Sequence, residues 1–211
     1  MKIICIGRNY AAHAAELGNM VPENPVVFCK PDSAIIQKGN PFVIPAFTKD
    51  VHYELELVFR INRLGKHIQQ SFAPRYYNEV TLGIDFTARD VQDELKKKGL
   101  PWERAKAFDG SAFVSEKFFE IENLPSPLLF TLKKNGTTVQ EGNSSHMIHS
   151  IDKLIENISE VFTLKIGDLI FTGTPAGVGP VASGDLLEGF LFNEKVFALR
   201  IKRSEEHTSE L

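Results

Sequence analysis

Between Val51 and Ile61 the side chains alternate without a break. Val51, Tyr53, Leu55, Leu57 and Phe59 share one face, and His52, Glu54, Glu56, Val58 and Arg60 share the other. A period of two fits a strand and no helix, and a strand needs neighbours for its backbone groups. Candidate neighbours recur along the chain, at residues 3–7, 26–29, 42–44, 80–86, 128–134, 137–140, 168–172, 185–192 and 196–201. Asn135-Gly136 joins two of them as a tight hairpin signal. Pro22, Pro25, Pro31, Pro41 and Pro45 keep the early chain in short extended pieces. Helical signals are few. Asn9 can cap an alanine-rich helix from Tyr10 to Leu17 that Gly18 ends. Thr87-Ala-Arg-Asp90 has capping-box spacing before a helix to about Lys98, closed by Gly99 and Pro101, and Ser150 can cap an amphipathic helix marked by Ile151, Leu154, Ile155 and Ile158. The expected class is therefore α+β and β-rich.

At 211 residues and 43% hydrophobic, the chain has material for one domain with a sizeable core, expected over residues 1–202. Sixteen Phe against one Trp, with a net charge of -3, give a packed interior and no general field for nucleic acid or an anionic membrane. Cys5 and Cys29 are the two cysteines and form no paired motif, which fits a reducing compartment. The apolar stretch 3–6 is too short for a signal sequence and no run reaches about 18 apolar residues, so a cytoplasmic protein with small partners is expected. After Lys202 the hydrophobic pattern stops abruptly. Residues 203–211 read like a translated sequencing adapter, a non-native tail.

Residues that can carry chemistry each have a plain alternative. Glu54 and Glu56 lie about 7 Å apart on one strand face, unfavourable unless water or a cation separates them. A solvated outer face is the commoner outcome for such a segment alone. Joined by Asp85, just before a helix start, they would form an oxygen-donor site suited to Mg²⁺ or Mn²⁺ rather than zinc. His13 and Glu16 share a helix face, either as an exposed pair or as a dyad in which the carboxylate orients the imidazole as a base. Arg89 and Gln92, one turn apart, can hold a substrate carboxylate or lie in solvent. Lys30 and Lys106, taken singly, are ordinary solvated cations. The loop Thr172-Gly-Thr-Pro-Ala-Gly-Val-Gly-Pro180 offers backbone amides to an anion but lacks a nucleotide-binding ending, and otherwise serves as a turn.

Taken together, Gly7-Arg-Asn-Tyr10 with His13 and Glu16, Phe28-Cys-Lys-Pro31, Tyr53-Glu-Leu-Glu-Leu57, Gly83-Ile-Asp-Phe-Thr-Ala-Arg-Asp90 and Thr172-Gly-Thr-Pro-Ala-Gly-Val-Gly179 resemble the fumarylacetoacetate hydrolase family. The run from Asp85 to Glu94 and the Lys-Lys-Lys-Gly-Leu-Pro-Trp stretch ending at Trp102 resemble its acylpyruvase and oxaloacetate decarboxylase subgroup. The resemblance implies a mixed β-sandwich roll of the family's C-terminal domain type with a few short helices, a homodimer, and Mg²⁺ or Mn²⁺. It places Glu54, Glu56 and Asp85 as metal ligands and His13 and Glu16 as a water-activating dyad on a lid-like segment. Lys106 becomes the group that stabilises negative charge, and Lys30, Arg89, Gln92 and Thr174 surround a bound 2-oxo acid. His146 and His149 depart from the family pattern, which bears on pocket shape or a dimer contact.

The function so implied is metal-dependent cleavage of a carbon–carbon bond in small 3-acylpyruvates, of acylpyruvate or fumarylpyruvate type, through a metal-bound enolate. Oxaloacetate decarboxylation is a further activity of the same site. The alternatives are an isomerase or hydratase of unsaturated dicarboxylic 2-oxo acids, or a metal-binding module without catalysis.

Overall fold

The alternating segments pair into three sheets. The computed structural model describes residues 1–16 and 22–203. Its elements are β1 (Ile3–Gly7), α1 (Ala11–Glu16), β2 (Val26–Lys30), β3 (Phe42–Ile44), β4 (Val51–Tyr53), β5 (Leu55–Ile61), β6 (Tyr77–Asp85), β7 (Thr87–Ala88), α2 (Arg89–Lys97), α3 (Glu103–Lys106), β8 (Ala112–Val114), β9 (Phe119–Glu120), β10 (Leu129–Lys134), β11 (Thr137–Asn143), α4 (Ile151–Val161), β12 (Leu169–Phe171), β13 (Gly179–Pro180), β14 (Leu186–Leu191) and β15 (Glu194–Arg203). The central sheet runs β2-β1-β12-β5-β6-β8, with β9 also on β6; a second runs β11-β10-β14-β15-β3, and a small third β13-β4-β7. Pairing is antiparallel except between β1 and β12 and between β15 and β3. This is the β-rich mixed sandwich with few short helices that the sequence leads one to expect.

One face of the central sheet makes the main core. Leu55, Leu57 and Phe59 sit opposite Ile84, Leu82 and Val80, and this layer packs on Phe130, Leu132, Leu187, Leu191 and Leu199 of the second sheet. Toward β1 the same face continues through Ile170 and Ile4, where Leu154, Ile155 and Ile158 of α4 cover it. Burying those three α4 side chains stabilises the fold by roughly 1.5–3 kcal/mol each. The opposite face carries Ile3, Cys5, Val58 and Phe171, and by register also Phe28, Lys30, Glu56 and Gly83. The polar residues of the sequence motifs are gathered on that face.

Several local expectations are corrected. The strand expected at 51–61 is two strands in two sheets, broken at Glu54. There the Leu55 amide donates to Gln140 Oε1 at 2.9 Å instead of to a neighbouring strand. The capping box is not formed, because Thr87 Oγ1 donates to Glu54 and Asp90 accepts from Thr48 and the Lys49 amide. Asn9 does not spend its side chain on α1: its amide donates to the His149 and Thr172 carbonyls and its carbonyl accepts from the His149 amide. The hairpin at Asn135-Gly136 forms, with φ of 52° and 82°, and Ser150 caps α4 by accepting from the Lys153 amide. β15 reaches Arg203, which pairs with Ile44, so the strand runs one residue into the segment read as adapter-like. The rest of that segment, 204–211, lies outside the described residues, as does the expected Leu17–Gly18 end of the first helix.

Candidate active site and metal centre

Strand register brings the three acids together. Leu55 pairs with Ile84 and Glu56 with Gly83, so Glu54 falls opposite Asp85, whose amide donates to the Glu54 carbonyl at 2.9 Å. At Gly83, the partner of Glu56, neighbouring atoms already fill the place of a side chain. A Cβ there would stand 2.7 Å from the Phe113 carbonyl oxygen and 2.7 Å from Val58 Cγ2. One carboxylate oxygen from each of Glu54, Glu56 and Asp85 lies within 4.8 Å of the others, and these residues are only 5%, 2% and 1% exposed. The solvated-face reading of Glu54 and Glu56 is thereby overturned: the polar face of β5 is roofed by α1, α2, α3 and the loop after β12.

Buried like charges require compensation. Lys106 Nζ donates to Glu54 Oε2 at 2.8 Å, to Asp85 Oδ2 at 2.7 Å and to Thr87 Oγ1 at 2.6 Å. Arg89 Nη2 donates to Glu54 Oε1 at 2.6 Å, and Nη1 to Gln92 Oε1 at 2.8 Å. Lys30 Nζ lies 2.7 Å from Asp85 Oδ1 and donates to the Ser111 carbonyl and hydroxyl and to the Lys106 carbonyl. None of these cations is solvated, so the single-residue alternatives for Lys30, Lys106, Arg89 and Gln92 are also overturned. Burial pushes the Glu54 carboxyl up, but Lys106 and Arg89 outweigh it and hold that group far below the usual carboxylate range. Glu56 has no such partner. Burial, then the Asp85 and Glu54 charges, push it well above that range, against the Gly173 amide that donates to Oε2 at 2.7 Å.

His13 faces the same pocket at 5% exposure, its Nδ1 3.2 Å from Glu16 Oε2. With Glu16 accepting the Nδ1 proton, Nε2 keeps its lone pair. Glu16 in turn accepts from the Gly177 amide at 3.1 Å. The glycine-rich loop therefore offers its amides to two of the protein's own carboxylates, Glu56 and Glu16. Thr174, buried in that loop, accepts from Gln140 Nε2 at 2.8 Å. Arg8, Phe28, Gln92, Lys96 and Trp102 complete a pocket with a water-accessible volume of about 30 Å³. All ten residues singled out from the sequence converge here, Lys30 through its contact with Asp85 and Glu16 through His13.

The Fumarylacetoacetate (FAA) hydrolase C-terminal family matches residues 2–200. The chain belongs to the fumarylacetoacetate hydrolase family. It is 42% identical over 205 residues to the human oxaloacetate tautomerase FAHD1, mitochondrial, covering 96% of this chain and 92% of that protein. It also resembles the crystal structure of fumarylpyruvate hydrolase from Pseudomonas aeruginosa in complex with Mn²⁺ and pyruvate (34% identity, TM-score 0.89, 97% and 90% of the two chains). A third relative is a 5-carboxymethyl-2-hydroxymuconate delta-isomerase from Mycobacterium smegmatis (37% identity, TM-score 0.83, 96% and 79%).

The donor set of this fumarylacetoacetate hydrolase family chain fits a hard divalent cation. Three buried carboxylate oxygens converge, and Glu56 has no cation at ion-pair distance among the described residues. Two contributors escaped the sequence reading. Gln140 looked like the end of a hairpin strand, yet it is 1% exposed and ties Leu55, Thr174 and Pro175 together beneath the acids. Gly83 opens one of the family-like runs, yet nothing there points to the close packing that requires glycine.

Proposed function

We propose that this chain cleaves the carbon–carbon bond of small 3-acylpyruvates and decarboxylates oxaloacetate, using a divalent metal held by Glu54, Glu56 and Asp85. The observation that carries the reading is a His13–Glu16 dyad opening onto the same buried pocket as the three converging acids. Mg²⁺ or Mn²⁺, when bound, supplies Lewis acidity toward a 2-oxo oxygen and the adjacent carboxylate. The substrate is anionic, and Arg89, Gln92 and Thr174, which line the pocket, orient its 2-oxo acid end, while Lys30 acts behind them through its contact with Asp85.

His13 Nε2 takes a proton from water as the oxygen adds to the distal carbonyl carbon, and Glu16 holds the ring in the required tautomer and stabilises its charge. Lys106 faces the negative charge that develops on the substrate oxygens. The bond between C3 and the distal carbonyl carbon then breaks, its electron pair passing to C3 and the 2-oxo oxygen as an enolate. The distal carbon leaves as a carboxylic acid, and the imidazolium returns its proton to C3 to give pyruvate. Oxaloacetate loses CO₂ to the same enolate without an attacking water.

A second reading has its own support. The relatives named oxaloacetate tautomerase lie at 42–43% identity, and moving a proton between C3 and the 2-oxo oxygen needs the same base without breaking a carbon–carbon bond. The experiment is pyruvate release from acetylpyruvate and oxaloacetate by the purified protein, with Mg²⁺, with excess chelator, and in Glu56→Ala. Chelator-sensitive release that is lost in the variant supports cleavage. Keto–enol interconversion without pyruvate identifies a tautomerase, and a shift in absorbance of an unsaturated dicarboxylic 2-oxo acid identifies an isomerase.

The proposal includes a homodimer, which sedimentation equilibrium tests, and a cytoplasmic location, which cell fractionation tests against the mitochondrial designation of the animal relatives. Among the described residues no helix is long and apolar enough to cross a membrane.

A further inference from the structure

Two cations of the pocket pair with none of its acids. Lys30 is tied to Asp85, Arg89 to Glu54 and Lys106 to both, while among the described residues Glu56 has no cation at ion-pair distance. Arg8 and Lys96 also line the pocket, and among the described residues neither lies within ion-pair distance of a carboxylate. Lys96 follows Arg89 and Gln92 at a spacing of three and then four residues, which puts all three on one face of α2. Its ammonium stands 5.7 Å from the centre of the Trp102 ring. Burial and the like charges of Arg89 and Arg8 hold it below the ordinary lysine value.

Arg8 is held in place at a cost. Its φ is 60°, in the left-handed region, which disfavours a non-glycine residue by roughly 1–2 kcal/mol. The flanking residues enforce it: Gly7 pairs with Val26 in the sheet, and the Asn9 side chain is tied by three hydrogen bonds to His149 and Thr172. A strained, over-determined cation beside a reactive centre is where a ligand group is expected. Two unpaired cations on one pocket wall repel each other until an anion lies between them.

We propose that Arg8 and Lys96 bind the distal carboxylate of the substrate, so that the site selects dicarboxylic 2-oxo acids over acylpyruvates with a neutral end. This rests on the reading that the pocket takes small 2-oxo acids. A carboxylate at that position neutralises their charge and leaves Arg89 and Gln92 for the 2-oxo acid end. The two ends of the substrate are then read by different cations, and the charge of the distal group sets preference.

The test uses the full chain loaded with Mn²⁺. The ratio of kcat/KM for fumarylpyruvate over acetylpyruvate is measured in the wild type, Arg8→Gln, Lys96→Gln and Lys96→Arg. Each glutamine variant is expected to lower the ratio by about tenfold, the loss of one charge-assisted hydrogen bond, whereas Lys96→Arg restores most of it. An unchanged ratio in both glutamine variants overturns the proposal. Calorimetric titration with pyruvate and with 2-oxoglutarate, a stable dicarboxylic 2-oxo acid, separates this from the reaction assignment. A wild-type preference for 2-oxoglutarate that Lys96→Gln abolishes, in protein that cleaves neither substrate, removes the hydrolase reading and keeps this one. Equal wild-type affinity for the two ligands overturns the proposal whatever the activity.

Discussion

Replacing Gly83 with Ala should damage the site through packing alone. The added methyl would meet the Phe113 carbonyl oxygen and Val58 Cγ2 at 2.7 Å and Phe171 Cε1 at 2.8 Å. The first of these is backbone of β8, paired to β6 through Ile84 and Phe113, so relief requires parting two strands. Overpacking of this kind costs about 1–3 kcal/mol. The reduced freedom of the unfolded alanine chain returns about 0.4–1 kcal/mol. A net loss of about 1–2 kcal/mol remains, and for a chain of this size each kcal/mol lowers Tm by roughly 2–4 °C. Thermal melts monitored by circular dichroism, with excess chelator, read the stability term without metal. Because Gly83 is the partner of Glu56 and lies two residues from Asp85, any strand shift also moves the ligands, so Mn²⁺ affinity measured by calorimetry should fall as well. Gly7→Ala is the control, since its new methyl would find only ordinary contacts at 3.7–3.8 Å. Equal stability of Gly83→Ala and Gly7→Ala would refute the argument that close approach of β6, β8 and Phe171 requires glycine.

Other predictions follow from the same contacts. Gln140→Leu leaves the buried Leu55 amide without its acceptor and should cost about 1–3 kcal/mol in urea unfolding, together with weaker Mn²⁺ binding. Glu56 has a folded pKa above its unfolded value, so the folded protein binds more protons than the unfolded chain and metal-free stability falls as pH rises through that interval. Glu56→Gln should therefore raise the Tm of the chelated protein at neutral pH while weakening Mn²⁺ binding, and the gain should vanish below about pH 4, where both states carry the proton; a gain that persists in acid contradicts the linkage. Glu16→Ala should slow acetylpyruvate hydrolysis by about 10²-fold or more, the usual scale of acid–base catalysis, and affect oxaloacetate decarboxylation less. Equal losses would show that the dyad does not act on water.

Much of the fold is legible because a two-residue period is hard to mistake. Residues 42–44 and the Asn135-Gly136 hairpin appear where local chemistry puts them. Failures cluster where a side chain has been taken for the site: Thr87 left its helix for Glu54, and Asn9 left α1 for two distant carbonyls. Glu54 ended a strand that the alternation carries straight through, because Gln140, far along the chain, supplies the missing acceptor. Individually, Lys30, Lys106 and Arg89 read as solvated. Only their ordered combination with the acids, recognised as a family pattern, placed them together. Long-range hydrogen bonds leave no local trace, which is why Gln140 escaped while Glu54, Glu56 and Asp85 did not.

The parallel pairing of β1 with β12 also governs when the molecule can exist during its own synthesis. Asp168 holds Lys2 from 166 residues away, so the third residue of the chain waits for the 169th before its strand is closed on that side. At 5–20 residues per second the wait is roughly 8–30 s. Throughout it Ile4 and Ile6 lack the cover of α4 and Ile170, and the loop whose Gly173 amide steadies Glu56 has not yet been made. The acids thus acquire their surroundings among the last events of synthesis, and an incomplete chain exposes an apolar edge open to chaperones and to aggregation before it holds any site.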